Sequence, residues 1–556
     1  MTKNNLNLGS TAFIALTSAY FAIALNIKFW QFACEKIDIN SFSVLFFALS
    51  LPFFIYVPLF WFFSLLVVPC IGKPLIMLLM VLSAASDYAL QNLGVVINSD
   101  MIRNIAETTP REAADLITLH AAFYILIVGI LPAVLVYRTH IEFASFGKEI
   151  RRRLLLFMLG FSVVGAFAAV SYKEYASFGR NNKQVRYYIN TFNYIYAVGR
   201  YYKRTADAKR EFVILDKSPQ TIPTQDGKPR VIVLIVGETA RAQNFSLYGY
   251  NRQTNPLLAQ NGEIIAFKDV SSCGTATAVS LPCMFSKLGR KEFDVTDAQY
   301  MQNLLDIAKT AGYDVFWKDN DDGCKKVCDR IGKTDAKQDN KQPYCFGNYC
   351  HDEILLDGLE KQLQTITRNT VIVLHMMGSH GPTYYKRYPD KFKRFTPACD
   401  TASLQDCSRQ QIINSYDNTI VYTDYIIASV IDILKRHNNL QSGMLYVSDH
   451  GESLGENNLY LHGLPYTVAP EEQKKVPMIL WLPEQTMHAM KIDGSCLKKR
   501  AETVSFSHDN YFHSVLRLLA IKTSAYEEKN DIFPLCLRQQ LPPSGLGAKT
   551  DLIYRL

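Results

Sequence analysis

Glu238 ends the run Pro229-Arg-Val-Ile-Val-Leu-Ile-Val-Gly-Glu, and Asp449 and His450 end Met444-Leu-Tyr-Val-Ser-Asp-His. The first run is β-branched and apolar, which predicts a buried parallel strand, and the second again reads as a strand. Ligands of open α/β sheets bind beyond the carboxyl ends of the strands, so these three side chains stand where chemistry would be done. Zinc accepts carboxylate oxygens and imidazole nitrogens, and Asp449 and His450, side by side, can reach one metal across a turn. Between the two strands lies Cys273-Gly-Thr-Ala-Thr-Ala-Val-Ser-Leu-Pro-Cys283. Its small residues lead into a helix start, where free N–H groups suit a phosphate. Thr275 and Thr277 are each a candidate nucleophile, which needs activation to act as one, and each is equally a candidate N-cap. Histidines complete the set. His375 lies inside the apolar run Val371-Ile-Val-Leu-His and reads as a core residue. His380, flanked by Gly378 and Gly381, lies in the loop beyond that strand, and His462 lies beside Gly463.

The elements that must hold these groups divide the chain, whose 556 residues call for at least two domains. Hydrophobic residues make up 48% and charged residues 20%, an average that hides the division. Residues 1–172 are dominated by long apolar runs, and residues 211–556 alternate short strands and helices as a soluble α/β domain does. A bilayer span needs roughly 20 apolar residues. Five stretches qualify, at about 11–32, 44–67, 75–96, 119–137 and 154–172. Pro52 and Pro58 predict a kink in the second. Arg138, Lys148, Arg151, Arg152 and Arg153 place the loop between the last two spans in the cytoplasm by the positive-inside rule. The N-terminus is then cytoplasmic, and both the loop 98–118 and everything after Tyr172 lie outside. Residues 173–210, rich in tyrosine, lysine and arginine, predict an amphipathic helical linker lying on the headgroup layer. Membrane-flanking residues also account for the net charge of +8. No basic stripe with base-reading residues is present, which excludes nucleic acid as a partner.

Ten of the 12 cysteines lie in the soluble part. Eight are close neighbours: Cys273 with Cys283, Cys324 with Cys328, Cys345 with Cys350, and Cys399 with Cys407. Cys496 and Cys536 are left over. An even number in local pairs, outside the cytoplasm, predicts disulfides. The C-x2-C spacing usual for structural zinc is absent.

The combination of GETAR, SCGTATAVSLPCMFS, GSHGPTYY, YDN and YVSDHGESLGEN resembles the phosphoethanolamine transferases of Gram-negative bacteria, and most of all those that modify lipid A and confer polymyxin resistance. The likeness runs over essentially the whole chain. It implies a five-span helical membrane domain followed by an alkaline phosphatase/sulfatase-like α/β domain, in the bacterial inner membrane with the catalytic domain periplasmic. It implies that Glu238, Thr277, Asp449 and His450 bind a primary zinc, Thr277 being also the nucleophile. His380 and His462 match histidines near the phosphoryl group, which can hold a second zinc. Thr275 and Lys325 match further residues of the headgroup pocket. Asn104, Thr108 and Glu112 match periplasm-facing residues of the membrane part that bind substrate. Two departures are visible: Ala276 stands where relatives often have serine, and Pro110 and Arg111 are unexpected beside Thr108.

The implied reaction has two steps. Thr277 takes phosphoethanolamine from phosphatidylethanolamine, diacylglycerol leaves, and a phosphate of lipid A then displaces Thr277. Zinc and Lys325 stabilise charge on the group in transfer, and either His380 or His462 protonates the leaving oxygen. A monomer is expected. A transferase acting on a core sugar or another envelope glycan is the near rival. A membrane receptor with an inactive phosphatase-like domain is the rival of another class, and it should have lost one of Glu238, Thr277, Asp449 or His450.

Overall fold

The computed structural model describes residues 6–538 except 109–112, 114–115, 183, 207–210, 225, 333, 336–342 and 348. Its first half is a bundle of apolar helices. α1 (Ser10–Ile23) and α2 (Ile27–Lys36) meet at a bend of 56°, so the first expected span is a broken pair and not one continuous helix. A break inside a membrane leaves carbonyls that lipid cannot satisfy. Buried amides satisfy them here: Asn26 Nδ2 donates to Phe21 O at 2.7 Å, and Asn190 Nδ2 donates to Leu25 O at 3.1 Å while also tying the break to Ser83 O of the helix Gly72–Tyr88 at 2.8 Å. α3 (Phe42–Leu66) contains Pro52 and Pro58. α4 (Gly72–Tyr88) continues as a π-turn over Ala89–Leu93. After the short helix α5 (Ser99–Glu107), α6 (Leu119–Ile125) and α7 (Leu131–Arg138) join through a second π-turn into one run, and α8 (Phe146–Val170) follows. Among the described residues, four such helical runs are long and apolar enough to cross a membrane, or up to 5 with the bent pair.

The polar residues of this half act as ties. Arg153 pairs with Glu149 at 3.2 Å and donates to Ser64 O and Val67 O, closing the C-terminal end of α3. Asp87, an acid within a span, accepts a hydrogen bond from Tyr124 of α6 at 2.5 Å, which joins two helices where no water can. The linker is helical, with α9 (Tyr172–Asn181) and α10 (Asn190–Ala206). Its tyrosines pack on the membrane helices: Tyr175 bonds Ser50 at 2.6 Å, and Tyr194 bonds Ser83 at 3.0 Å.

The second half is built on a seven-stranded sheet. In chain order its strands are β1 (Arg230–Gly237), β2 (Ile264–Phe267), β3 (Asp314–Asp319), β4 (Thr334–Asp335), β5 (Thr370–His375), β6 (Gln441–Ser448) and β7 (Met478–Trp481). They lie in the order β2-β7-β6-β1-β5-β3-β4, with β6, β1, β5, β3 and β4 parallel. Along β1, Ile232, Leu234 and Val236 enter one core, and Val231, Val233 and Ile235 enter the other, the period-2 alternation of a strand covered on both faces. α11 (Thr277–Met284) covers the first face through Leu281 and Met284, and α12 (Arg409–Lys435) covers the second through Ile412, Tyr416, Ile420 and Ile427.

The four expected cysteine pairs are all disulfides. Cys273 bonds Cys283, Cys324 bonds Cys328, Cys345 bonds Cys350, and Cys399 bonds Cys407. The Cys345 to Cys350 bridge spans the two short antiparallel strands Cys345–Phe346 and Tyr349–Cys350, where the two cysteines are register partners. The Cys399 to Cys407 bridge closes the loop that leads into α12, with Cys399 N donating to Ser415 Oγ of that helix at 2.7 Å. The leftover cysteines form a fifth bridge, Cys496 to Cys536, across 40 residues.

The two halves touch through α5 and α10. Arg103 donates to Thr296 at 3.1 Å, and Arg204 lies 3.6 Å from Asp100 and 3.9 Å from Asp294. Leu90 and Val96 pack with Leu464 and Ala469. Because Asn190 closes the break between α1 and α2, Asn190→Ala removes the side-chain donor to the buried carbonyl of Leu25 and the tie to Ser83 O of α4. The detergent-solubilised protein should lose about 1–3 kcal/mol of stability, read as an earlier midpoint in thermal unfolding.

Candidate active site

Strand register assembles the centre. Gly237 of β1 is opposite Ser448 of β6, and Val236 is opposite His375 of β5. The residues that follow, Glu238 on one strand and Asp449 and His450 on the other, are therefore neighbours at the carboxyl edge, and all three are fully buried. Asp449 Oδ1 accepts from the backbone N–H of Thr239 at 3.1 Å and of His450 at 2.7 Å. Its Oδ2 has no hydrogen-bond donor among the described residues and lies 3.2 Å from His450 Nε2. His450 Nδ1 is 3.0 Å from Gly451 O, so that carbonyl takes the ring proton and Nε2 keeps the lone pair. The loop after β5 closes over the edge: Ser379 N donates to Glu238 O at 2.9 Å. Gly378 permits this approach, since a Cβ there would stand 2.6 Å from Glu238 O at a φ of +50°.

Thr277 is the first residue of α11. Its hydroxyl donates to Glu238 Oε2 at 3.1 Å and lies 3.3 Å from His450 Nε2. The Cys273–Cys283 disulfide ties the loop before Thr277 to its helix, and Ser280 on that helix bonds Asp449 O. Thr275, the other candidate nucleophile, donates instead to Leu464 O at 2.5 Å and does not line the pocket in front of Thr277.

That pocket is lined by Asn104, Thr108, Thr277, Asp321, Asp322, Lys325, His380 and His462. It brings together residues that the chain separates by hundreds of positions, and its Asn104 and Thr108 come from the membrane half. Glu112 lies outside the described residues. Lys325 sits in a loop clamped by Cys324–Cys328, with φ of +46°, and its Nζ donates to Asp322 O at 3.1 Å. The rings of His380 and His462 are 5.7 Å apart, and those of His450 and His462 are 4.3 Å apart. His462 Nδ1 is held 2.9 Å from Glu452 Oε2, and Glu452 Oε1 accepts from Tyr384 at 2.9 Å. Three participants were not singled out in the sequence. Glu452 stands two residues after His450 in the same motif. Asp321 and Asp322 follow β3, a strand whose alternation ends in acids as those of β1 and β6 do.

Burial pushes the Glu238 carboxyl well above the usual carboxylate range, and the neighbouring Asp449 charge adds to this. Burial pushes Asp449 up as well. Burial, with the charge of His462, pushes His450 down, leaving a neutral imidazole. Two enclosed carboxylates that resist ionisation, an imidazole lone pair turned toward them and a carboxylate oxygen without a donor fit a divalent cation. One ligating atom from each of Glu238, His450 and His462 lies within 4.8 Å of the others.

A helix start that sets a threonine hydroxyl against buried groups suited to a cation, at the carboxyl edge of a doubly covered, mostly parallel sheet, is the arrangement of a sulfatase-type α/β domain, and residues 230–521 match the sulfatase family model. Residues 55–206 match the model described as phosphoethanolamine transferase EptA/EptB. Over 546 residues the chain is 39% identical to the phosphoethanolamine transferase EptA of Escherichia coli strain K12, covering 97% of this chain and 98% of that one. It is 40% identical over 428 residues to the phosphatidylethanolamine transferase Mcr-1 of Escherichia coli, covering 74% of this chain and 79% of that one. Its structure is similar, with a TM-score of 0.93 and 39% identity, to the integral membrane lipooligosaccharide phosphoethanolamine transferase A of Neisseria meningitidis, covering 96% of this chain and 100% of that one. The chain belongs to the phosphoethanolamine transferase family.

The raised carboxyls give any cation binding here a pH dependence of fixed sign. Protons held by Glu238 and Asp449 in the metal-free protein must leave when a cation binds. Affinity for a divalent cation is therefore expected to be weaker at pH 6 than at pH 8. Calorimetric titration in buffers of different ionisation enthalpy should show proton release at pH 6, and binding without release would contradict the assignment.

Proposed function

We propose that this protein moves phosphoethanolamine from phosphatidylethanolamine to a phosphate of lipid A through a phospho-threonine at Thr277, with zinc held by Glu238, Thr277, Asp449 and His450. The observation that carries the reading is the placement of the Thr277 hydroxyl, 3.1 Å from Glu238 and 3.3 Å from His450, in a pocket walled partly by the membrane half. Zinc bound there would supply a Lewis acid that lowers the pKa of the hydroxyl. The chain's own groups do the rest. Glu238 accepts the hydroxyl hydrogen bond and orients the oxygen that attacks phosphorus, the hydroxyl proton passing to solvent in the pocket, while Lys325 faces the phosphoryl group from the opposite loop. The bond to the diacylglycerol oxygen breaks, and that oxygen takes a proton. His462 is suited to give it, because Glu452 holds Nδ1 and leaves Nε2 for the pocket. In the second step the lipid A phosphate attacks the same phosphorus, the bond to the Thr277 oxygen breaks, and that oxygen takes up a proton to restore the free hydroxyl. His380 stands beside His462 and is a further phosphoryl contact; a second zinc held by the two would take up His462 Nε2, and the proton would then come from another source.

The functional units are the membrane domain over residues 1–172, the linker over 173–210 and the catalytic domain over 211–556. The enzyme sits in the bacterial inner membrane as a monomer, with its N-terminus cytoplasmic and its catalytic domain periplasmic, an orientation supported by the basic residues around Arg152. Asn104 and Thr108 reach the pocket from the periplasmic side of the membrane domain, and with Glu112 they contact the lipid headgroup. Adding phosphoethanolamine lowers the negative charge of the surface and so confers resistance to polymyxin and cationic peptides.

Expressed in a Gram-negative host, the native chain should add phosphoethanolamine to lipid A, detected by mass spectrometry, and Thr277→Ala should abolish it. Addition that survives the substitution would remove Thr277 as nucleophile, and unmodified lipid A beside a modified core sugar would move the acceptor. Asp449→Asn should weaken zinc binding by at least about tenfold, measured by competition with a chromophoric chelator.

A further inference from the structure

His375 has no role in the transfer described above, yet its imidazole lies beside Glu238 and against the acids that end and follow β3. It ends β5 and is fully buried. Its Nδ1 stands 3.5 Å from Asp319 Oδ2, an oxygen already fixed by Trp317 Nε1 at 3.0 Å. Its Nε2 lies 3.6 Å from Asp321 Oδ2 and makes no hydrogen bond among the described residues. Buried imidazole nitrogens ordinarily find a partner, and this one is turned toward two acids. One ligating atom from each of Glu238, Asp321 and His375 lies within 4.8 Å of the other two, and all three residues are buried. Asp321 also lines the pocket in front of Thr277, which gives an ion a way in.

We propose that Glu238, Asp321 and His375 form a second divalent-metal site beside that of Asp449 and His450, with Glu238 shared between them. One imidazole and two carboxylates are a donor set that zinc takes with three protein ligands and an open position, whereas magnesium and calcium prefer oxygen throughout. Asp319 would hold Nδ1–H and thereby aim Nε2, the carboxylate–histidine–metal arrangement of ordinary zinc sites. An ion here offsets the charge of Asp321 and fixes the Glu238 carboxylate against Thr277. It is separate from any ion at His380 and His462, neither of which belongs to this group. The inference rests on Glu238 being a metal ligand in the proposed function.

The test uses the full chain, purified in detergent and loaded with zinc alone, with diffraction recorded at the zinc absorption edge. An anomalous peak is expected about 2.0–2.2 Å from His375 Nε2 and from an oxygen of both Asp321 and Glu238, in addition to a peak at Asp449 and His450. In His375→Gln and in Asp321→Asn the first peak should vanish while the second stays, with a loss of about one zinc per chain in elemental analysis. A peak at Asp449 and His450 alone in the native chain overturns the second site and leaves the first. No peak at either overturns both. The native map decides even if a variant fails to fold.

Discussion

Two buried carboxylates that meet where β1 and β6 end are the constraint around which the rest of the molecule is arranged. The register that sets Gly237 opposite Ser448 makes the proximity of Glu238 and Asp449 unavoidable. Enclosing two like charges is costly unless each is paired or hydrogen-bonded. The surroundings supply the bonds in a directed way. Backbone amides saturate Asp449 Oδ1, Thr239 and Thr277 bond the two oxygens of Glu238, and a backbone carbonyl fixes the ring of His450. What remains is an inward-facing set of oxygen and nitrogen atoms of the kind a divalent cation takes.

The same logic extends to the neighbouring strands. β3 and β5 end in Asp319 and His375, opposite each other in register, so the acidic edge of the sheet is continuous from β6 to β3. A sheet with four parallel strands ending in ionisable groups needs counter-charge along its length. The loop carrying Lys325 provides part of it. The disulfide Cys324–Cys328 holds that loop in a conformation that non-glycine residues seldom adopt, with both Lys325 and Lys326 at positive φ. The constraint lies where Lys325 lines the pocket in front of Thr277.

The membrane half does more than anchor the sheet. α5 lies between the halves, tied by Arg103 to Thr296, while α10 is tied by Arg204 to Asp100 and Asp294. Asn104 and Thr108 reach the pocket only because these contacts set the catalytic edge against the helix bundle. A site completed by both halves suits substrates whose reacting groups are held at the bilayer surface.

The strands were legible because alternating or continuous apolar runs have few other solutions: β1, β5 and β6 fall where their patterns place them. The four local cysteine pairs, down to Cys345 with Cys350 and Cys399 with Cys407, were legible because short loops leave few other partners. Cys496 and Cys536, 40 residues apart, offered no such signal. Glu238, Asp449 and His450 announced themselves as polar residues at strand ends. Thr275 and Thr277 could not be told apart from spacing, since each fits a helix start. Only the turn before α11 aims Thr277 at Glu238 and leaves Thr275 bonded to Leu464 O. The bend between α1 and α2 escaped notice because hydropathy measures length and not direction. His375 read correctly as buried, but its acidic company depended on the pairing of β5 with β3, a long-range choice absent from either strand alone. Local chemistry along the chain thus determined which residues could act, and strand order and the docking of α5 decided which of them meet, because those depend on burying both sheet faces and the bundle surface at once.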